Sequence, residues 1–162
     1  MIKCFITGSV ASGKTTLAKK ISEVYHIPYY ELDQIIHAPD GTYRSQEECD
    51  VIFNNIDQQG DWILEGTYRD RAKIMLDKTT HCLMIDPPVS KRCYRLIKRW
   101  IKQRLGKETC HYKPTLKMLY KMFYWTYRYE KKKDMHIKRC STYHFLYLRK
   151  IKKDILDDFL SS

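Results

Sequence analysis

The sequence predicts an α/β protein with a parallel sheet that helices cover on both faces. Short apolar runs recur along the chain, and stretches with the 3.6-residue periodicity of amphipathic helices separate them. Strands that alternate with helices form a parallel sheet, because each helix returns the chain to the end where the next strand starts. The length of 162 residues and the hydrophobic content of 43% predict one globular domain over residues 1–162.

Each predicted element has its own signal. Apolar runs predict strands at 2–7, 29–32, 61–65, 81–86 and 143–148. Helical periodicity predicts helices at 14–25, 45–59, 90–105 and 115–133, a short helix ending near 77, and a last helix from 149. Ser45 and Glu48 form a capping box at the start of the second helix.

Several predicted helices have faces that we expect to be buried. In helix 14–25 the residues at this spacing are Leu17, Ala18, Ile21, Val24 and Tyr25, and in the last helix they are Ile151, Ile155, Leu156, Phe159 and Leu160. In helix 45–59 these residues are Val51, Ile52 and Ile56. In helix 90–105 they are Cys93, Ile97, Trp100, Ile101 and Leu105. Helix 115–133 is rich in large side chains, most of which we expect in the core: Leu116, Met118, Leu119, Tyr120, Met122, Phe123, Tyr124, Trp125 and Tyr127.

The strongest motif lies between the first predicted strand and the first predicted helix. From Gly8 to Thr15 the chain follows G-x-x-x-x-G-K-[ST], which is the P-loop in its strand–loop–helix context. The glycines let the loop turn its N–H groups inward, and the helix start adds a positive dipole end. The motif predicts Lys14 on the β- and γ-phosphates and Thr15 on Mg²⁺. The candidate nucleotide-binding residues are Gly8, Ser9, Val10, Ala11, Ser12, Gly13, Lys14, Thr15 and Thr16.

Acidic residues stand at the ends of two other predicted strands. Ligands of open α/β sheets lie outside the carboxyl ends of the strands, so Asp33 is expected to point at the site. Asp33 also suits a helix N-cap, and the two roles are compatible. Glu65 ends the third strand, where a carboxylate next to a P-loop holds Mg²⁺ or its water. Arg69 follows four residues later, and a surface arginine is the alternative interpretation there.

The second half of the chain is strongly basic. Residues 1–90 carry 9 Lys and Arg against 13 Asp and Glu, whereas residues 91–162 carry 21 against 6. Such a half should face nucleotide phosphates or a polynucleotide. Arg92, Arg95 and Arg99 form a stripe that either binds phosphate bidentately or is a solvated surface. Residues of about 104–116 interrupt the helical pattern and are predicted to form a lid.

Other features limit the class of protein. No run approaches 18 apolar residues, so no transmembrane helix is expected. A strand begins almost at the first residue, which leaves no room for a signal peptide and predicts a cytoplasmic protein. Six cysteines are present without a C-x-x-C pair, so a zinc site is not expected.

The motifs together resemble the adenylate kinase and shikimate kinase group of P-loop kinases over nearly the whole chain. Gly8–Thr15 matches the nucleotide loop, and Asp33 resembles the acceptor-binding acid of the shikimate and gluconate type. Residues 64–69 resemble an acid-glycine-x-x-arginine element whose arginine binds the acceptor. The resemblance implies a three-layer P-loop NTPase fold with strand order 2-3-1-4-5. It also implies that lid arginines begin at Arg92, Arg95 and Arg99.

Three segments carry a closer resemblance. Residues 30–33, 62–69 and 85–88 are similar to bacterial proteins known as DNA topology modulation proteins, which are small adenylate-kinase-like P-loop proteins. Their name implies an effect on DNA. Glu65 stands where nucleoside monophosphate kinases commonly have aspartate, and Tyr68 stands where they have proline. These departures disfavour AMP as the acceptor.

The first functional hypothesis is an ATP-dependent kinase with a small acceptor. The candidate catalytic residues are Lys14, Asp33, Arg92, Arg95, Arg99 and Arg128. The candidate substrate-binding residues are Asp33, Glu65, Gly66 and Arg69, and the candidate Mg²⁺ ligands are Thr15 and Glu65. The second hypothesis is a nucleic-acid-binding protein that uses nucleotide as a switch, with a stacking and phosphate surface at Tyr124, Trp125, Tyr127 and 131–133. A third is an NTPase without an acceptor.

Overall fold

Five parallel strands form the central sheet of the protein. The computed structural model describes residues 1–108, 114–149 and 158. The strands are β1 (Lys3–Gly8), β2 (Tyr29–Glu31), β3 (Trp62–Glu65), β4 (His81–Ile85) and β5 (His144–Leu148). They lie side by side in the order β2-β3-β1-β4-β5, and every described pairing is parallel. The predicted fold class and strand order are confirmed.

In the part of the chain that the structure describes, six named α-helices connect or flank these strands. They are α1 (Lys14–Tyr25), α2 (Leu32–Ile36), α3 (Gln46–Gln58), α4 (Lys73–Asp77), α5 (Val89–Arg104) and α6 (Leu116–Cys140). A 3₁₀ turn at Asp70–Ala72 precedes α4. The helix predicted from residue 149 lies almost entirely outside the described residues. Among the described residues, no helix has the length and apolar character needed to cross a membrane.

The sheet separates two apolar clusters, and β1 contributes to both. Phe5 packs with Phe53 and Trp62 on one side. Cys4 and Ile6 pack with α1 on the other side. Successive side chains of a strand point to opposite faces, so a strand buried on both faces is continuously apolar. This burial holds β1 rigidly and places the loop that follows it at the centre of the sheet's carboxyl edge.

The start of α2 corrects one boundary and one role. Strand β2 ends at Glu31 instead of residue 32, because the side chain of Leu32 is fully buried as the first residue of α2. Glu31 occupies the N-cap position, so Asp33 is not an N-cap. Asp33 lies in the first turn, where a negative charge interacts favourably with the helix dipole.

Helix α3 keeps its predicted cap but buries a different stripe. The Ser45 hydroxyl accepts from the Glu48 N–H, and the Glu48 carboxylate accepts from the Ser45 N–H. Cys49, Phe53 and Ile56 are buried at helical spacing, whereas Val51 is 60% exposed and Ile52 is half-buried. The prediction was right for Ile56 and wrong for Val51, because the wider apolar face contains a narrower stripe that contacts the sheet.

Helix α5 buries a different stripe from the one predicted, of which Cys93 and Trp100 are half-buried. Arg92, Leu96 and Gln103 are buried, whereas Ile97 and Leu105 are 44% and 63% exposed. Periodicity identifies residues that share a face, but it does not say which face has a partner. Here the inward face meets α6 and buried acids, so an arginine lies inside and aliphatic side chains lie outside.

Helix α6 is longer and more exposed than predicted. It continues to Cys140 instead of ending near 133. The aromatic residues expected in the core are largely outside it, with Tyr120, Tyr124 and Tyr127 exposed by 72%, 48% and 56%. A helix of 25 residues is about 37 Å long, roughly twice the length of these strands. The sheet therefore covers only part of α6, which also packs against α5 and contacts Tyr68 and Asp70 near its end.

Candidate active site

The loop between β1 and α1 requires glycine at both ends. A Cβ atom on Gly8 would lie 2.3 Å from the carbonyl oxygen of Ile85, which is closer than any side chain can approach. Gly13 has a φ of +106°, a left-handed conformation that other residues rarely adopt. Ala11 also has a positive φ, of 57°. The backbone between the two glycines is thus turned tightly at the carboxyl end of β1.

Polar groups of this loop are buried without partners. The hydroxyls of Ser9 and Ser12 have no hydrogen-bond partner among the described residues. The Lys14 ammonium donates to the Ser9 carbonyl at 2.8 Å. Burial lowers the pKa of Lys14, while the charges of Glu65 and Asp33 oppose that shift. Buried donors around a left-handed loop fit a phosphate chain. Val10 is half-buried beside them, and Thr16 is exposed.

Thr15 and Glu65 meet at the bottom of the loop. The Thr15 hydroxyl donates to Glu65 Oε1 at 2.6 Å. Glu65 is the last residue of β3 and is only 5% exposed. Burial raises the pKa of Glu65, and the Lys14 charge and the Thr15 hydrogen bond oppose the increase. A hydroxyl and a carboxylate next to phosphate oxygens are the ligands that Mg²⁺ takes in such sites, so the residues present fit the ion.

The segment after Glu65 is hydrogen-bonded to the end of β1. The Gly66 N–H donates to the Ile6 carbonyl at 3.0 Å, and the Thr67 hydroxyl donates to the Gly8 carbonyl at 2.9 Å. A Cβ atom on Gly66 would lie 2.6 Å from the Cβ of Leu32. The segment therefore runs between α2 and the loop. Thr67 is not among the residues predicted from the sequence, and its position just after Glu65 and Gly66 is the signal that could have identified it.

Asp33 and Arg69 are brought together across the carboxyl edge of the sheet. Arg69 Nη2 donates to Asp33 Oδ1 at 2.8 Å, although the two residues are 36 positions apart. Both side chains are accessible, Arg69 less so than Asp33. The charge of Asp33 also acts on Lys14. An acid and an arginine that were predicted separately to face an acceptor thus form one accessible ion pair beside the loop.

One member of the arginine stripe contacts the loop directly. Arg95 Nη1 donates to the carbonyls of Ala11 at 3.2 Å and Ser12 at 2.8 Å. Arg99 pairs with Glu108 at 3.3 Å, and Arg128 lies 5.8 Å from the centre of the Tyr124 ring. The structure places Arg95 at the nucleotide loop. Arg99 and Arg128 remain at the surfaces of their helices.

Arg92 lies inside the protein. Its guanidinium contacts Asp86 at 3.7 Å and forms a short contact with Glu130. Asp86 is also paired with Lys133 and accepts from the Tyr147 hydroxyl. We call these five residues the buried ion cluster. The sequence predicts either a phosphate contact or a solvated surface for Arg92. The solvated alternative is wrong, because Asp86 and Glu130 pair with this side chain inside the protein, and the phosphate contact stays a prediction.

Comparisons with solved structures show the same fold. A shikimate kinase from Acinetobacter baumannii in complex with shikimate is 13% identical, with a TM-score of 0.61 over 98% of this chain and 92% of that chain. A shikimate kinase from Bacteroides thetaiotaomicron is 14% identical, with a TM-score of 0.56 over 99% and 94%. An uncharacterized protein from Eubacterium ventriosum is 19% identical, with a TM-score of 0.57 over 100% and 99%.

These likenesses show that the chain shares the fold of the two shikimate kinases. The sequence itself matches no protein-family model and no curated protein. The resemblance to DNA topology modulation proteins therefore stays a prediction from the sequence. The roles of the individual site residues likewise stay predictions, although the structure gives the positions of these residues.

Proposed function

We propose that the protein is a small ATP-dependent kinase that transfers the γ-phosphoryl group to a small acceptor. The observation that carries the proposal is the arrangement of two sites at one edge of the sheet. The P-loop and the Thr15–Glu65 pair form the first site, and the Asp33–Arg69 ion pair forms the second beside it. A phosphate-binding loop alone needs no second site. A kinase needs one next to the terminal phosphate.

The residues of the loop would bind and orient the nucleotide. Inward N–H groups and the Ser9 and Ser12 hydroxyls would donate to phosphate oxygens, and Lys14 would leave the Ser9 carbonyl for the β- and γ-phosphates. Arg95 lies against the same loop and would offset negative charge there. Thr15 and Glu65 would hold Mg²⁺, directly or through water, and the ion would neutralise charge on the phosphates.

The acceptor would bind at Asp33 and Arg69. The Asp33 carboxylate can accept a hydrogen bond from an acceptor hydroxyl and take its proton as the phosphoryl group arrives. Arg69 can hold an anionic group of the same molecule, since a guanidinium binds carboxylates and phosphates bidentately. Because the two side chains now neutralise each other, acceptor binding has to rearrange their ion pair. The missing side chain of Gly66 lets this segment lie close to Leu32, the residue before Asp33.

Substitution of Lys14 tests the nucleotide site. We expect Lys14→Ala to lower ATP turnover by at least about a hundredfold, because the side chain contributes charge where the transition state needs it. Lys20→Ala is the matched control, since Lys20 is exposed on the same helix. Turnover is measured with nucleoside monophosphates, small hydroxylated metabolites and shikimate, which one structural neighbour binds. Wild-type turnover by Lys14→Ala would disprove the proposal.

Substitution of Asp33 separates a kinase from an NTPase without an acceptor. Asp33→Asn should reduce acceptor-dependent turnover and leave ATP binding unchanged, because the side chain belongs to the second site. An NTPase would hydrolyse ATP equally well in the variant and without any acceptor.

The proposed reaction fits a location in the cytoplasm, where ATP is supplied. Helices α5 and α6 carry a second candidate function, nucleic-acid binding, on observations of their own.

A further inference from the structure

The outer face of α6 combines exposed aromatic rings with positive charge. Tyr120, Tyr124, Tyr127 and Lys131 follow one another at spacings of four, three and four residues, so they lie on one side of the helix. All four are exposed. We call them the tyrosine stripe. A row of large exposed rings usually marks an interaction surface, because apolar area that stays in water is unfavourable unless a partner covers it.

Several aromatic rings on α5 and α6 make cation–π contacts at the same spacing along the helix. Four rings have a Lys or Arg four residues later that lies within 6 Å of the ring centre: Tyr94 with Lys98 at 5.8 Å, Trp100 with Arg104 at 5.4 Å, Tyr124 with Arg128 at 5.8 Å and Tyr127 with Lys131 at 4.7 Å. Each ring is therefore bordered by a positive charge on the same helix face.

The charge of these two helices is almost entirely of one sign. Helix α5 carries seven Lys and Arg with no acid, and α6 carries eight with two acids. Arg92 and Lys133 are paired with acids in the buried ion cluster, and Glu130 belongs to that cluster too. Asp134 is then the one acid of these helices outside it. The whole chain carries +11, so the rest of the protein is close to neutral.

We propose that the tyrosine stripe and its flanking cations bind single-stranded nucleic acid. Unpaired bases would stack on Tyr120, Tyr124 and Tyr127, and phosphates would contact Lys131, Arg128 and Lys117. This binding is separate from the proposed kinase activity, because the stripe makes no described contact with the nucleotide loop. Duplex nucleic acid fits the rings less well, since its bases are already stacked and paired.

Two other occupants fit the observations less well. A second copy of the chain would bring two strongly positive surfaces together. A membrane surface requires an apolar helix face separated from a charged one. On α6, however, Tyr124 and Tyr127 alternate with Arg128 and Lys131 on the same side. Interleaved rings and cations are the arrangement that stacking bases and their phosphates require.

Fluorescence anisotropy with a labelled oligothymidylate of about 20 nucleotides tests the proposal on the full chain. Replacement of Tyr124 and Tyr127 together by Ala should weaken binding by roughly ten- to hundredfold, because each stacked base is lost. Replacement of both by Phe should preserve binding, since the ring remains. Tyr43→Ala is the control, because Tyr43 is 65% exposed and lies far from α6 in sequence, in the loop before α3.

The contribution of positive charge to nucleic-acid binding is tested with the same labelled oligonucleotide. Binding should weaken linearly on a log–log plot against salt, and Lys131→Ala should weaken it and flatten the slope, whereas Lys20→Ala should change neither. Lys14→Ala should bind as the wild type does, so failure of the kinase and failure of this surface are distinguishable. Unchanged binding without the rings, tighter binding of a duplex of the same length, or preferential capture by anionic phospholipid vesicles would each overturn the proposal.

Discussion

At the scale of single residues, Gly66 controls how closely α2 approaches the end of β3. Its missing side chain leaves room for Leu32, whose Cβ would lie 2.6 Å from a Cβ at residue 66. Leu32 is fully buried in the cluster that contains Trp62 and Leu64, so it cannot move away freely. The first turn of α2 carries Asp33, and its position depends on this contact.

Gly66→Ala is therefore expected to destabilise the protein by about 1–3 kcal/mol through overpacking. The free energy of unfolding is measured in urea. Leu32→Gly supplies the second variant of a double-mutant cycle, because it removes the Leu32 Cβ that the new methyl group would meet. The cost of Gly66→Ala should fall clearly in that background. An equal cost in both backgrounds would show that the contact with Leu32 is not the cause.

At the scale of elements, Asp57 connects helix α3 to two strands. Its carboxylate accepts from Lys3 at 2.5 Å, from Lys78 at 2.9 Å and from the Trp62 indole at 3.1 Å. Burial alone would raise the pKa of Asp57, but these hydrogen bonds and the Lys3 charge lower it to about 2. An acid whose pKa is lower in the folded state stabilises the fold only while it is ionised.

The contribution of Asp57 is thus present above pH 4 and is lost as the pH falls towards 2. The shift corresponds to about 2 kcal/mol. Unfolding of wild type and Asp57→Asn is compared across this range. The difference in unfolding free energy should be largest above pH 4 and should shrink as the pH falls below it. A constant difference would contradict the assignment.

The buried ion cluster links α5 and α6 to the end of β4 through ion pairs. Asp86 follows β4, Arg92 lies in α5, and Glu130 and Lys133 lie in α6. The cluster fixes α5 one turn before Arg95, which contacts the nucleotide loop. Hydrogen bonds from Lys133 and Tyr147 and the charge of Arg92 lower the pKa of Asp86, against the effect of burial. Asp86 is therefore a charged residue inside the fold.

Arg92→Met should cost about 3 kcal/mol or more, because it removes one of the two cations that pair with Asp86 and Glu130 inside the protein. Arg99→Met provides the comparison on the same helix. Arg99 pairs with Glu108 at the surface, where such a pair contributes less than about 1 kcal/mol. Urea unfolding of both variants tests the difference. Similar small losses would mean that Arg92 is not held by the cluster as described.

At the scale of the whole molecule, local patterns predicted the sheet and its loop well. The P-loop spacing and the acids after strand ends are short-range signals, and a parallel sheet brings strand ends to one edge. The buried faces of α5 and α6 were predicted wrongly, because they depend on where neighbouring elements end. No local pattern shows that α6 extends beyond the sheet, or that Arg92 meets Asp86 and Glu130. The pairing of Asp33 with Arg69 likewise needed the fold.

Transfer of the γ-phosphoryl group from ATP to an acceptor can be measured directly. The wild-type protein is incubated with Mg²⁺, γ-labelled ATP and a panel of small acceptors, and the products are separated by mass. We expect label in at least one acceptor, at a rate that falls at least about a hundredfold in Lys14→Ala. Label that appears only in inorganic phosphate, at a rate no acceptor changes, would contradict it.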